Sequence, residues 1–98
     1  MNDKLKQIIK HYGTTHQLKH FQEEAYELTE AILWDYLTPN TWHDKYHIAE
    51  EIADCLVMIK QFQLYYGIHE EDIMEIMEYK INRQIERIEK ECKHQNND

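Results

Sequence analysis

The chain has 98 residues and a formal net charge of −8, enough length for one domain with a modest core. That charge argues against nucleic acid or an anionic membrane surface as the main partner. Only two glycines and one proline interrupt the sequence, which favours long helices with short joints.

The first helix is expected from Asp3 to Tyr12. Leu5, Ile8, Ile9 and Tyr12 recur at i, i+3, i+4, i+7 and form one apolar stripe. Gly13 is a natural stop. Thr14, with Gln17 three residues on, reads as a capping box that opens a second helix. That helix is expected to run to Leu37, with Phe21, Ala25, Leu28 and Ile32 on its core face. Glu23, Glu27 and Glu30 form an acidic row beside it, with Glu24 one step aside. Each like-charge pair destabilises an isolated helix by a few tenths of a kcal/mol.

Thr38-Pro39-Asn40 marks the clearest loop, and Trp42 and Tyr46 follow it. Aromatics there either close the end of a helical core or stack on a base. The third helix is expected from His47 to Tyr66, possible earlier starts included, and Gly67 ends it. Its middle, Cys55 to Ile59, is apolar on all sides, the pattern of a buried helix. Yet Glu50, Glu51 and Asp54 share one face just upstream. The fourth helix begins around His69 to Asp72 and is expected to end near Cys92, leaving residues 93–98 as a frayed tail. Ile73, Met77, Ile81, Ile85, Ile88 and Cys92 make its core stripe. Lys80, Arg83 and Arg87 form a basic row on another face.

The expected architecture is therefore all-α, an antiparallel bundle of about four helices in one domain spanning 1–98, with 1–14 as a short N-terminal helix. No apolar run reaches the ~18 residues that suggest a membrane span. The first residues lack a continuous apolar segment, so no signal peptide is expected. Cys55 and Cys92 form no CxxC, which fits a reduced, cytoplasmic protein.

Packed antiparallel, the second and third helices would set Glu24 and Glu27 against Glu51 and Asp54. Four converging carboxylates call for a hard divalent cation, and all-oxygen ligands favour magnesium or manganese over zinc. Magnesium typically bridges to phosphate oxygens. Lys80 and Arg83 are suited to the phosphates beyond its reach. The residues alone thus point to a nucleotide or polyphosphate site.

Glu23-Glu24-Ala25-Tyr26-Glu27 matches EExxE, and Glu51-Ile52-Ala53-Asp54 matches ExxD, with 23 residues between them. Lys80-Ile81-Asn82-Arg83 matches a downstream KxxR. Over residues 18 to 90 the chain resembles the MazG-like, all-α nucleoside triphosphate pyrophosphohydrolases. The resemblance implies Mg²⁺-dependent cleavage of an NTP or dNTP to the monophosphate and pyrophosphate, Mn²⁺ being a possible substitute. It also implies a homodimer or homotetramer. By residue-for-residue transfer, Glu24, Glu27, Glu51 and Asp54 would hold the metal. Glu27, with Glu24, would act in catalysis, and Lys80 and Arg83 would contact substrate; Trp42, which belongs to none of these motifs, is the aromatic candidate for substrate contact by stacking. Glu23 matches the first motif position; Glu50 and Glu30 lie outside the motifs.

Two other readings stand beside this one. His16 with His20, and His43 with His47, are spaced i, i+4 as a transition-metal pair would be. A di-iron bundle needs inward Glu-x-x-His motifs, and the spacing occurs only at Glu91 and His94. A non-catalytic helical interaction module with a solvated acidic face is the other alternative.

Overall fold

The computed structural model describes residues 1–38 and 45–96. Four helices follow in chain order: α1 (Asn2–Tyr12), α2 (Thr14–Leu37), α3 (Lys45–Tyr65) and α4 (Glu70–Asn96). Among the described residues there is no strand, and no helix is long and apolar enough to cross a membrane. Residues 1–67 form one compact unit and residues 68–98 a second.

In the first unit α2 and α3 run antiparallel. Gln17 on α2 meets Gln61 on α3, Phe21 meets Phe62, and Glu24 meets Cys55. From the Gln17–Gln61 pair to the Glu24–Cys55 pair, the chain climbs along α2 while it descends along α3. α1 packs against both. Its stripe explains how: Leu5 and Ile9 are buried, and burying such side chains contributes about 1.5–3 kcal/mol each. Tyr12 stays exposed and stacks on His16, with ring centroids 4.9 Å apart.

The corner between α1 and α2 is a single residue. Gly13 has φ +85°, a conformation open to glycine and costly for a side chain. Its N–H reaches the Ile9 carbonyl at 2.9 Å, and its own carbonyl accepts from the Gln17 N–H at 3.1 Å. The expected capping box does not form. Thr14 is already helical, no side chain caps α2, and the Gln17 amide is engaged elsewhere. At the other end, the Thr38 hydroxyl donates to the Trp34 carbonyl at 2.8 Å. Gly67, at φ +67°, follows α3 and donates its N–H to the Leu64 carbonyl.

The middle of α3, apolar on all sides, is buried on only part of its circumference. Cys55 and Met58 are buried, while Leu56, Val57 and Ile59 remain 43–47% exposed. Two neighbouring helices cover only part of a helix's circumference, so an all-round apolar segment keeps one side uncovered. Phe21, Ala25 and Leu28 are partly buried on α2, but Ile32 is half exposed.

The second unit carries α4. Glu70, Glu71 and Asp72 occupy its first turn and Lys93 and His94 its last, the order the helix dipole favours. The helix continues through Asn96, beyond the expected end at Cys92. Ile73 is partly buried, and Met77, Ile81, Ile85 and Ile88 are exposed.

Candidate metal centre

The register of α2 against α3 places the acids. The Gln17 side-chain N–H donates to the Gln61 carbonyl oxygen at 2.9 Å, and both side chains are fully buried. The Cys55 thiol donates to the Glu24 backbone carbonyl at 3.4 Å. These contacts lock Glu24 beside the turn of α3 that carries Glu51 and Asp54, which lie three residues apart and share a face. One carboxylate oxygen from each of Glu24, Glu51 and Asp54 falls within 4.8 Å of the others.

The cluster is polar, acidic and partly shut off from solvent. The side chains of Glu24 and Glu51 are 14% and 13% exposed. The Oε2 atoms of both are buried without a hydrogen-bond partner among the described residues. Buried carboxylate oxygens normally find donors or a cation. Burial raises the Glu24 carboxyl above its usual 4.5, and the charges of Glu27 and Asp54 add to that effect. A hydrogen bond from His20 acts in the opposite direction. Burial also raises the Cys55 thiol, helped by Glu24, Glu51, Asp54 and Glu27. Hard oxygen donors held this closely fit a divalent cation of the magnesium or manganese type.

A MazG nucleotide pyrophosphohydrolase domain matches residues 13–88. The chain belongs to the MazG family. No curated protein and no solved structure matched it.

The other motif residues of this MazG domain are placed differently. Glu27 lies outside the 4.8 Å group. It is exposed and lines an open cleft of about 700 Å³ together with Glu51, His47, Trp34 and Ile48. A second cleft of about 490 Å³ touches the cluster at Glu24 and Asp54 and extends to Tyr12 and Gln61. Glu23 and Glu50 are exposed. Glu30 is exposed too and accepts a hydrogen bond from the Tyr26 hydroxyl. Lys80 and Arg83 are exposed on α4, in the second unit. Trp42 and His43 lie outside the described residues, as do Pro39 and Asn40.

The two histidines of the α2 pair make different contacts. His16 contacts the Gln17 side chain through Nδ1 at 2.8 Å, whereas His20 turns to Glu24. Sequence reasoning did not place Gln17, Gln61, His20 or His47 beside this cluster: Gln17 was read as a cap and the two histidines only as halves of transition-metal pairs. For the two glutamines the signal was weak, since glutamine is ordinarily a surface residue. For the histidines it was present, because each stands four residues before an acid of the cluster.

Proposed function

We propose that the protein is a metal-dependent nucleoside triphosphate pyrophosphohydrolase, with residues 1–98 acting as one MazG-like domain. The observation that carries this reading is the meeting of Glu24, Glu51 and Asp54 from two antiparallel helices, with two of their oxygens buried and unpartnered among the described residues. Membership of the MazG family supports it.

Glu24, Glu51 and Asp54 would hold the cation, and Glu27, outside their close group, would join them as the motif suggests. When bound, Mg²⁺ or Mn²⁺ neutralises phosphate charge and lowers the pKa of a bound water. Glu27 orients the attacking water toward the α-phosphorus and takes its proton. The bond from the α-phosphorus to its bridging oxygen breaks, releasing the monophosphate and pyrophosphate. Lys80 and Arg83 hold phosphate oxygens, and Trp42 stacks on the base. The working form is a homodimer or homotetramer that covers the exposed side of α3 and the isoleucine row of α4.

Incubation with each common NTP and dNTP and Mg²⁺, followed by chromatography of the products, tests the reading. A monophosphate plus pyrophosphate is expected from at least one substrate. Diphosphate plus phosphate as the only products, or no turnover with either Mg²⁺ or Mn²⁺, overturns it.

A further inference from the structure

The two acid-bearing segments share more than their acids. On α2 the chain reads His20-Phe21-Gln22-Glu23-Glu24-Ala25-Tyr26-Glu27, and on α3 it reads His47-Ile48-Ala49-Glu50-Glu51-Ile52-Ala53-Asp54. Both are H-x-x-E-E-x-x-(E/D). Because α2 and α3 are antiparallel, the two copies run in opposite directions along the helix pair. Glu24 corresponds to Glu51, and a histidine stands one helical turn before each.

Each histidine addresses the same atom of its acid. His20 Nε2 lies 3.0 Å from Glu24 Oε1, and His47 Nε2 lies 3.9 Å from Glu51 Oε1. An ionised carboxylate only accepts hydrogen bonds, so His20 Nε2 must carry the proton in that contact. In both acids the other oxygen, Oε2, is the buried atom without a partner among the described residues. The acid is thus divided between its two oxygens. Oε1 is turned to the imidazole, and Oε2 is the oxygen left buried and free to take a cation.

We infer that His20 and His47 are positioning residues, which orient Glu24 and Glu51 so that each presents Oε2 to a divalent cation. The inference rests on the metal-binding reading above and adds to it two residues outside the EExxE and ExxD motifs. Hydrogen bonds to a ligating group fix its orientation, and losing such a partner typically weakens metal binding by about 10–100-fold. His20 sits at hydrogen-bond distance and His47 does not, so the effect is larger at His20.

The test is Mn²⁺ titration of the full-length, metal-stripped protein, read by loss of the free-ion electron paramagnetic resonance signal. His20→Ala should weaken Mn²⁺ binding by about 10–100-fold, and His47→Ala by less. Helical content and metal-free thermal stability should stay near the wild-type values. His20→Gln keeps an N–H₂ donor near the position of Nε2 and should restore affinity to within about threefold of wild type. This rescue keeps the test decisive even where the alanine variant folds poorly. Wild-type affinity in His20→Ala overturns the inference while leaving the metal reading intact, and so does a His20→Gln as weak as the alanine variant. A wild-type protein that binds no Mn²⁺ rejects the metal reading itself, and the inference with it.

Discussion

Gln17 and Gln61, 44 residues apart in sequence, form a buried side-chain hydrogen bond of 2.9 Å that fixes the register of α2 against α3. Gln61 also directs its amide nitrogen at the Met58 sulfur, 3.6 Å away, a weak acceptor. The pair is therefore specific rather than strongly stabilising. Gln61→Leu would strand the Gln17 donor and should cost about 1–3 kcal/mol, whereas a Gln17→Leu/Gln61→Leu double variant should recover most of that loss. Urea unfolding of the single and double variants checks this. Additive losses would show that the two amides do not act together.

Asp54→Asn should remove most activity while leaving the helices intact. Its charge helps to raise the Glu24 carboxyl, so the metal-free variant should be as stable as wild type or more so. Metal affinity should fall by at least about tenfold, and the rise in melting temperature on adding Mg²⁺ should shrink accordingly. Turnover at the wild-type rate would show that the site is wrongly placed.

The two cysteines should react differently with pH. Cys55 is buried and Cys92 exposed, and burial followed by the charges of four acids holds the Cys55 thiol above its usual 9.0. The thiolate is the reactive form, so raising the pKa moves the onset of alkylation to higher pH. At pH 8 iodoacetamide should modify Cys92 while leaving Cys55 largely intact. Mass spectrometry of digested protein reads this directly, and equal labelling would contradict the assignment.

Arg83→Ala and Lys80→Ala bear on the phosphate contacts. Each should raise KM several-fold, and kcat should fall as well where the contact tightens in the transition state. Steady-state kinetics unchanged in both variants would leave this basic row as ordinary surface charge.

Light scattering should report a dimer or a larger even-numbered oligomer at micromolar concentration. Leu56, Val57 and Ile59 on α3, together with Met74, Ile76, Ile81 and Ile88 on α4, are 43–56% exposed, an amount of apolar surface that typically marks an interface. Leu56→Glu should shift the equilibrium toward monomer. A wild-type monomer with full activity would refute the assembly.

The helices were legible in the sequence because apolar residues recur at helical spacing and Gly13 and Gly67 punctuate them. Glu51 and Asp54 were legible as a shared face, since three residues is nearly one turn. What covers each face was not. Periodicity identifies the apolar sides of α3 and α4 but cannot state which sides find a neighbour within the chain, and Leu56, Val57 and Ile59 prove to be on a side left exposed. Gln17 was read locally as a cap, because local spacing cannot reveal a partner 44 residues away. Glu27 shows the same limit. Its i+3 spacing from Glu24 matches that of Asp54 from Glu51, yet only Asp54 joins the close group.

The one-residue corner at Gly13 has a consequence for how the chain assembles. Closing a loop costs entropy that grows with its length, and α1 reaches α2 with no loop to close. α2 and α3 must instead find each other across many residues before Gln17 can meet Gln61. The loop-closure cost of the first unit thus falls on the α2–α3 pairing, and α1 folds back from a tether one residue long. Slow formation of that hairpin would delay the acids as well, since Glu24 and its partners on α3 come together in the same event.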